Sequence, residues 1–458
     1  MSGGILRRYP RPENFYQQVL MLLIPIVLQN LINVGVTSAD ILMLGALSER
    51  AMSSVSLAGQ IQFILSLILF GLASGMTVLN AQYRGAGNMR AVERVTAIGM
   101  RAALCVGAVF ALTCILMPAY AMRIFTKTPV LIDAGASYLR IVAFGYVIQA
   151  FTGLFLATMR SLERVKISTA TYASSFLLNI VLNYVFIFGH FGAPALGVRG
   201  AAVASFCARG LELIIVLVYA RKIRSVFRLH LGDILHVHPL LHKDFIRYSM
   251  PIVFNELFWG TGMAAASAIY GHLNQHVVAA NAVAQVTRQL FMIIVFGVAL
   301  TTSLILGKYI GAGRQTEAQA YAYHLTKLSL IVSGIGAMLL LTSKGLVMDF
   351  AVSSSEARHY LNIMLWIMVF YIVAQAYNAT MIIGVFRAGG DSKAGLLIDA
   401  LTMWCGSLLL AFIAAFILHL PVEVVIVFAL TDEFLKVPFV YRRYKKKIWL
   451  RNITREEV

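Results

Sequence analysis

The sequence predicts an all-α membrane protein of twelve transmembrane helices, arranged as two pseudo-symmetric six-helix lobes around a central cleft. Three observations carry this. The 458 residues are 59% hydrophobic and only 13% charged, with mean hydropathy +0.79, whereas soluble domains carry roughly 25% charged residues. Apolar runs long enough to cross a bilayer, roughly 20 residues each, recur along the whole chain. The two halves of the chain also repeat one another.

In order, the predicted spans are 18 to 46, 53 to 81, 97 to 122, 134 to 159, 168 to 190, 198 to 221, 246 to 271, 277 to 309, 320 to 346, 357 to 386, 394 to 419 and 423 to 444. They are helical because open sheet edges do not survive in hydrocarbon and a barrel would alternate in polarity. The first run follows the basic "MSGGILRRYPRPENF". It is too long for a signal-peptide core and lacks a small-residue cleavage site, so it reads as a retained helix.

A net charge of +18 raises nucleic acid as a partner, and its distribution argues against one. With both termini on one side, about 27 Lys and Arg fall on the terminal side and about 5 in the opposite loops, the asymmetry of cytoplasmic loops. Arg7, Arg8, Arg11, Arg84, Arg90, Arg94, Arg160, Arg164 and Lys166 belong to the basic side, with "RKIRSVFRLHLGDILHVHPLLHKDFIRYS" and the tail "YRRYKKKIWLRNITR". No basic groove with interleaved aromatics is visible. A cell (inner) membrane location with cytoplasmic N- and C-termini is expected. Cys105, Cys114, Cys207 and Cys405 all fall inside predicted helices without C-x-x-C spacing, so they read as small core residues.

The internal repeat is gapless. "FGLASGMTVLNAQYRGAG" (70 to 87) aligns with "FGVALTTSLILGKYIGAG" (296 to 313). "PIVLQNL" at 25 falls on "PIVFNEL" at 251 in the same register, and "RSLERVK" at 160 meets "RAGGDSK" at 387 to within one residue. Each half has an even number of helices, so both halves enter from the same side as parallel repeats, an arrangement that places a cavity between two bundles. The domains are then 1–221, a cytoplasmic linker 222–245, and 246–458 with its basic tail. Pro25 and Pro251 sit in the first third of each half's opening helix. Proline removes a backbone donor and crowds the preceding turn, which makes both candidate hinges.

Catalytic patterns are absent: there is no H-E-x-x-H, no G-x-S-x-G and no Walker loop, so no enzyme activity and no ATP-driven pumping are expected. His230, His236, His238 and His242 cluster in the linker without acids or thiols at ligand spacing, so no metal site is expected. Acids inside the helices remain, each costing roughly 2.5–3.5 kcal/mol on insertion. Asp40, in "LINVGVTSADILMLG", has no Lys or Arg within one turn. A carboxyl kept from water favours its neutral form, which makes Asp40 a candidate to gain and lose a proton. Asn179 and Asn183, in "LLNIVLNYVFIFG", share one helix face at i, i+4. They suit hydrogen bonding to a protonated Asp40, an oxygen cage for sodium around an ionised one, or simple helix–helix adhesion.

Glu256, with Phe258 and Trp259 nearby in "MPIVFNELFWG", suits an organic cation in a substrate cavity through charge and cation–π attraction. Arg209 with Glu212, and Asp432 or Glu433 with Lys436, have helical spacing for pairing. Asp399 has no evident partner.

At these residues the chain resembles the multidrug and toxic compound extrusion (MATE) family. The likeness spans the proline-bearing first helix with Asp40, "QYRGAG", "KYIGAG", "LNIVLNYVFIFG", "LGVRGAAVAS", "PIVFNELFWG", "FRAGGDSKA" and "DEFLKVPFVYRRYKKKIWLRN". It implies two lobes about a central cleft and export of cationic amphiphiles in exchange for protons or sodium. Asp40 would be the first-lobe coupling residue, with Asn179 and Asn183 around it. Archaeal members carry an aspartate where this chain has Asn183, and NorM-type members a tenth-helix acid where it has Ala376. Both departures point to the DinF-like branch, in which protonation of the first-helix aspartate is the proposed trigger.

The expected function is therefore antiport of cationic or amphiphilic small molecules against protons, sodium being the weaker alternative. No cofactor beyond the coupling ion and a monomeric state are expected. A flippase for lipid-linked saccharides, sharing the wider architecture, is the rival reading. It would need cationic side chains in the cleft, for which Arg140 and Arg288 are the candidates.

Overall fold

The computed structural model describes residues 10–351 and 354–456, so Arg7 and Arg8 lie outside the described residues. No strand occurs among the described residues. The helices are α1 (Phe15–Leu47), α2 (Glu49–Gly85), α3 (Met89–Leu116), α4 (Pro118–Arg123), α5 (Pro129–Val142), α6 (Phe144–Ser161), α7 (Val165–Phe188), α8 (Val198–Lys222) and α9 (Leu231–Leu235). They continue with α10 (Pro239–Leu273), α11 (Gln275–Gly311), α12 (Gln315–Ala351), α13 (Ser355–Ala379), α14 (Ser392–Ala400), α15 (Leu409–Phe412), α16 (Val422–Ala429) and α17 (Asp432–Lys445). Three π-helical stretches, Thr380–Phe386, Leu401–Leu408 and Ile413–Ile417, lie between α13 and α16.

Among the described residues nine helices are long and apolar enough to cross a membrane, and α5 and α6, bent by 49° at their junction, are so only when taken together. The two remaining predicted spans fall on α10 and on α16 with α17. α10 is less apolar because it carries polar and charged side chains, Asn255 and Glu256 among them, whereas the last span is divided between α16, of 8 residues, and α17, of 14, each too short to cross alone. Large apolar residues are exposed on the outer faces, Leu177 at 64% and Met338 at 62%, as a lipid solvent requires and water does not tolerate over wide areas. Cys105, Cys207 and Cys405 are exposed and only Cys114 is buried, so three of the four are surface residues where core residues were expected.

The repeat is reproduced element by element. The offset of 226 residues that separates Pro25 from Pro251 also relates the ends of α1 and α10, both ends of α2 and α11, and the starts of α3 and α12. Packing divides the chain into two compact units. The first unit holds residues 28–253 and 455–456, and the second residues 10–27 and 254–454. Sequence halves and compact units thus differ at the opening helices. Residues 10–27 pack with second-half helices, and 239–253 with first-half helices. The segment read as a linker is partly helical, containing α9 and the start of α10.

Each crossing point lies just beyond a proline, and each is held by the same contact. A Cβ on Gly71 of α2 would lie 2.6 Å from Val253 Cα and 2.9 Å from its amide nitrogen. A Cβ on Gly297 of α11 would lie 2.6 Å from Val27 Cγ2. The offset relates Gly71 to Gly297 and Val27 to Val253, so a glycine meets the valine past the proline twice, once inside each unit. At Gly71 only a residue without a side chain lets the backbone past the proline lie this close, whereas at Gly297 the near neighbour is the Val27 side chain, its Cα standing 3.8 Å away. Pro25 and Pro251 themselves lie within continuous helices.

Gly71→Val is expected to destabilise the protein by about 1–3 kcal/mol through overpacking against backbone. Gly59→Ala, where a Cβ meets nothing within 4 Å, should keep stability or raise it by up to about 1 kcal/mol, alanine being the better helix former. The thermal-unfolding midpoints of the two variants in detergent check this.

Candidate functional site

The first unit encloses a cavity of about 780 Å³ among α1, α2, α5, α6, α7 and α8. Asp40 of α1 lines it, and α7 presents Asn179 beside it. Behind Asn179, the fully buried Asn183 uses its Nδ2 twice, donating to Asp40 Oδ1 at 2.5 Å and to Asn179 Oδ1 at 3.2 Å. Asn179 Nδ2 donates to Ser205 Oγ of α8 at 3.5 Å. The three residues predicted to act together are therefore in one hydrogen-bonded chain. Asn183 Oδ1 is buried without a donor, so the amide holds one unused acceptor beside the acid.

On the same wall α8 contributes Arg209 and Glu212. Arg209 Nη1 donates to Glu212 Oε1 at 2.9 Å and to Oε2 at 3.0 Å. Ser175 Oγ donates to Oε1 at 2.8 Å, and Thr152 Oγ1 to Oε2 at 3.4 Å. Glu212, 2% exposed, thus has donors on both oxygens, while Arg209 keeps 26% of its side chain open. The predicted i, i+3 pair exists, and it also lines the cavity. Tyr138, Tyr146 and Tyr172 add phenol rings to the lining. At the far end Arg160 Nη1 donates to Gln29 Oε1 at 3.2 Å.

The second unit places its acids differently. Arg387, 3% exposed, donates through Nη2 to Glu256 Oε1 at 2.8 Å and to Asn255 Oδ1 at 2.9 Å. Asn255 Nδ2 passes the chain on to Asp399 Oδ2 at 2.8 Å. Lys436 of α17 then donates to Asp399 Oδ1 at 3.1 Å, Asp432 Oδ2 at 3.4 Å and Glu433 Oε1 at 2.9 Å. Asn378 Nδ2 donates to Glu433 Oε2 at 2.8 Å, and Tyr371 OH to Asp432 Oδ1 at 3.2 Å. These partners are why α10 and α17 tolerate charge within apolar surroundings.

Residues 25–185 and 251–417 match the sequence model of the MatE family, most of the chain and both halves of the repeat. The chain belongs to the MatE family.

Among relatives, the MatE chain is 23% identical over 433 residues to the "Uncharacterized transporter YisQ" of Bacillus subtilis, covering 93% of each protein. It is 24% identical over 420 residues to a "Probable multidrug resistance protein NorM" of Thermotoga maritima, covering 90% of this chain and 89% of that one. In three dimensions it superposes on a crystal structure titled as MATE in the bent conformation with a TM-score of 0.86 at 16% identity, covering 98% of both chains. That likeness shows the fold.

The site residues read from the MatE sequence are thus distributed as follows. Asp40, Asn179 and Asn183 meet at the first-unit cavity. The Glu256 carboxylate is engaged by Arg387, and Trp259 packs partly buried against the cluster of Ile269, Met403 and Leu408. Phe258 meets Trp404 edge-on. No group of three His, Cys, Asp or Glu able to hold a metal ion occurs among the described residues. Of the two cations considered for a lipid diphosphate, Arg140 is exposed at the end of α5, and Arg288 donates to Gln285 Oε1 at 2.6 Å and to Tyr371 OH at 3.4 Å.

Sequence reasoning missed the partners of Glu256 and Asp399, because Arg387 lies 131 residues from Glu256 and no local spacing joins them. It also missed Arg209 as a cavity residue. A local signal existed there, since Ser205, Arg209 and Glu212 follow i, i+4, i+7 spacing on one face of α8.

Arg387→Ala should cost about 3–5 kcal/mol, the penalty for leaving a buried carboxylate without its cation. Adding Glu256→Gln should restore much of that loss. Unfolding midpoints of the single and double variants check this, and equal losses in both would overturn the assigned pairing.

Proposed function

We propose that the protein is a secondary active exporter of small organic cations or amphiphiles, driven by inward proton movement. It is placed in the cell membrane with both termini cytoplasmic. The observation that carries this is Asp40: a carboxylate on the wall of a large cavity, met by Asn183 and by no ion-pair partner within 4.0 Å among the described residues. The other cavity acid, Glu212, is satisfied by Arg209, Ser175 and Thr152. The names carried by relatives, "multidrug resistance protein" above all, support the transport of organic compounds. The asymmetry of basic loops supports the orientation.

In the proposed cycle an outside proton neutralises Asp40. The ionised acid accepts from Asn183 Nδ2. Rotation of that amide presents the unused Oδ1 to the protonated acid, so one side chain serves both charge states. Loss of charge weakens the hold on a bound cation, and the segment of α1 beyond Pro25 repacks against α7, shrinking the cavity and releasing substrate outward. A proton entering down a potential of 100 mV yields roughly 2.3 kcal/mol, enough for a modest substrate gradient. Asn179 and Asn183 act here as positioning residues for Asp40, with Pro25 as the hinge. Glu256 and Trp259 are assigned to the second-unit framework beside any substrate path.

Asp40→Asn is expected to lower pH-gradient-driven efflux of a fluorescent organic cation from proteoliposomes by about tenfold or more, as removal of a coupling group requires. Full-rate efflux that still responds to acidity in that variant, or acceleration by sodium alone at constant pH, would defeat the reading.

A further inference from the structure

Four charged side chains line the cavity of the first unit, Asp40, Arg160, Arg209 and Glu212. Arg209 and Glu212 neutralise each other. Neither Asp40 nor Arg160 has an ion-pair partner among the described residues, each being held by an amide instead, Asn183 and Gln29. They also stand apart. Asp40 and Gln29 are both on the continuous helix α1, and from one to the other that helix rises about 16 Å.

The internal repeat shows what is missing at Arg160. Its counterpart in the second unit, to within one residue of register, is Arg387. There Nη2 donates both to Asn255 Oδ1 at 2.9 Å and to the Glu256 carboxylate at 2.8 Å. Arg160 keeps the first of these contacts, donating through Nη1 to Gln29 Oε1 at 3.2 Å, and Gln29 matches Asn255. The residue matching Glu256 is Asn30. The first unit therefore builds the arginine–amide half of the arrangement and supplies no carboxylate. Nε and Nη2 of Arg160 donate to nothing among the described residues. That edge of a guanidinium is a fork that a carboxylate fits with two parallel bonds.

Charge counting selects the ligand. With Asp40 ionised, the two acids and two arginines of the cavity balance. A simple cation bound at Asp40 upsets that balance and leaves Arg160 unpaired. A ligand that brings its own carboxylate pairs both ends and keeps the sum at zero, so no charge is enclosed without a partner. The distance between Asp40 and Arg160 requires an apolar body between the ligand's two charges and excludes an amino acid, whose charges are adjacent. Phe63, Phe70 and Tyr172 line the same cavity and suit a flat body of that kind.

We propose that Arg160 is a carboxylate-binding subsite, and that the compounds taken into this cavity are zwitterionic amphiphiles with the cationic end at Asp40 and the carboxylate at Arg160. This rests on the export function proposed above and names its substrate class. Arg160 acts in recognition, and no covalent bond changes.

A rhodamine with a free carboxylate and its methyl ester differ at that one group. Their binding to the purified full-length protein is read by fluorescence anisotropy in detergent at constant pH. Wild type should bind the carboxylate form about tenfold more tightly than the ester, the effect of one charge-assisted pair. Arg160→Gln should bring the two Kd values to within about twofold of each other. Asn30→Glu, which gives the first unit the acid that the second unit has, should occupy Arg160 and make the ester the tighter ligand. Asp40→Asn should weaken both forms and keep the preference for the carboxylate. Equal affinities in wild type, or a preference for the carboxylate that persists in Arg160→Gln or Asn30→Glu, would overturn the subsite and leave the exporter reading standing. No gradient is applied in this measurement, so a failure of proton coupling in the efflux assay leaves the wild-type preference unchanged.

Discussion

A carboxylate withdrawn from water must meet a cation, a set of donors or a proton, because the alternative costs several kcal/mol. The helices of both units are arranged around that requirement. Glu212 reaches donors from α6, α7 and α8. Glu256, Asp399, Asp432 and Glu433 draw together α10, α13, α14 and α17. Asp40 is the exception, with an amide as its hydrogen-bonded partner, and of the two acids that line the large cavity it is the one without an ion-pair partner among the described residues. Where the requirement is met by fixed side chains the result is framework. Where it is left to an exchangeable species the result is a site.

The internal repeat shows how one scaffold came to hold two chemistries. At the offset of 226 residues, Gln29 corresponds to Asn255, and the arginines Arg160 and Arg387 match to within one residue. In each unit the arginine donates to the amide just past the proline. The neighbouring positions diverge, with Asn30 in the first half and Glu256 in the second. Asp40 corresponds to Ala266, so the cavity acid has no counterpart. A shared backbone contact is thus reused while its charges are redistributed, one unit keeping an open polar cavity and the other a filled ionic network.

The glycine–valine contacts at Gly71 and Gly297 bind the segment after each proline within a unit. A proline helix lacks one backbone hydrogen bond at that point and bends more readily than an intact one. The segment beyond Pro25 includes Asp40, so a change in the charge of Asp40 acts on the part of α1 that lies past the proline.

Much of this was legible in the sequence, because its carriers are local or periodic. Apolar runs of bilayer length determined the helices, and the register shared by Pro25, Gly71 and Tyr83 with Pro251, Gly297 and Tyr309 the repeat. The i, i+4 spacing of Asn179 and Asn183 placed both amides on one face, and the isolation of Asp40 from nearby basic residues marked it out. Only the tertiary structure decided which acids are satisfied. Arg387 with Glu256, and Lys436 with Asp399, are joined across distant helices, and the energy that pairs them depends on separation in space. Charge energy falls with distance through the protein and is indifferent to distance along the chain, so sequence spacing reveals a buried ion pair when its partners share a helix and conceals it when they do not.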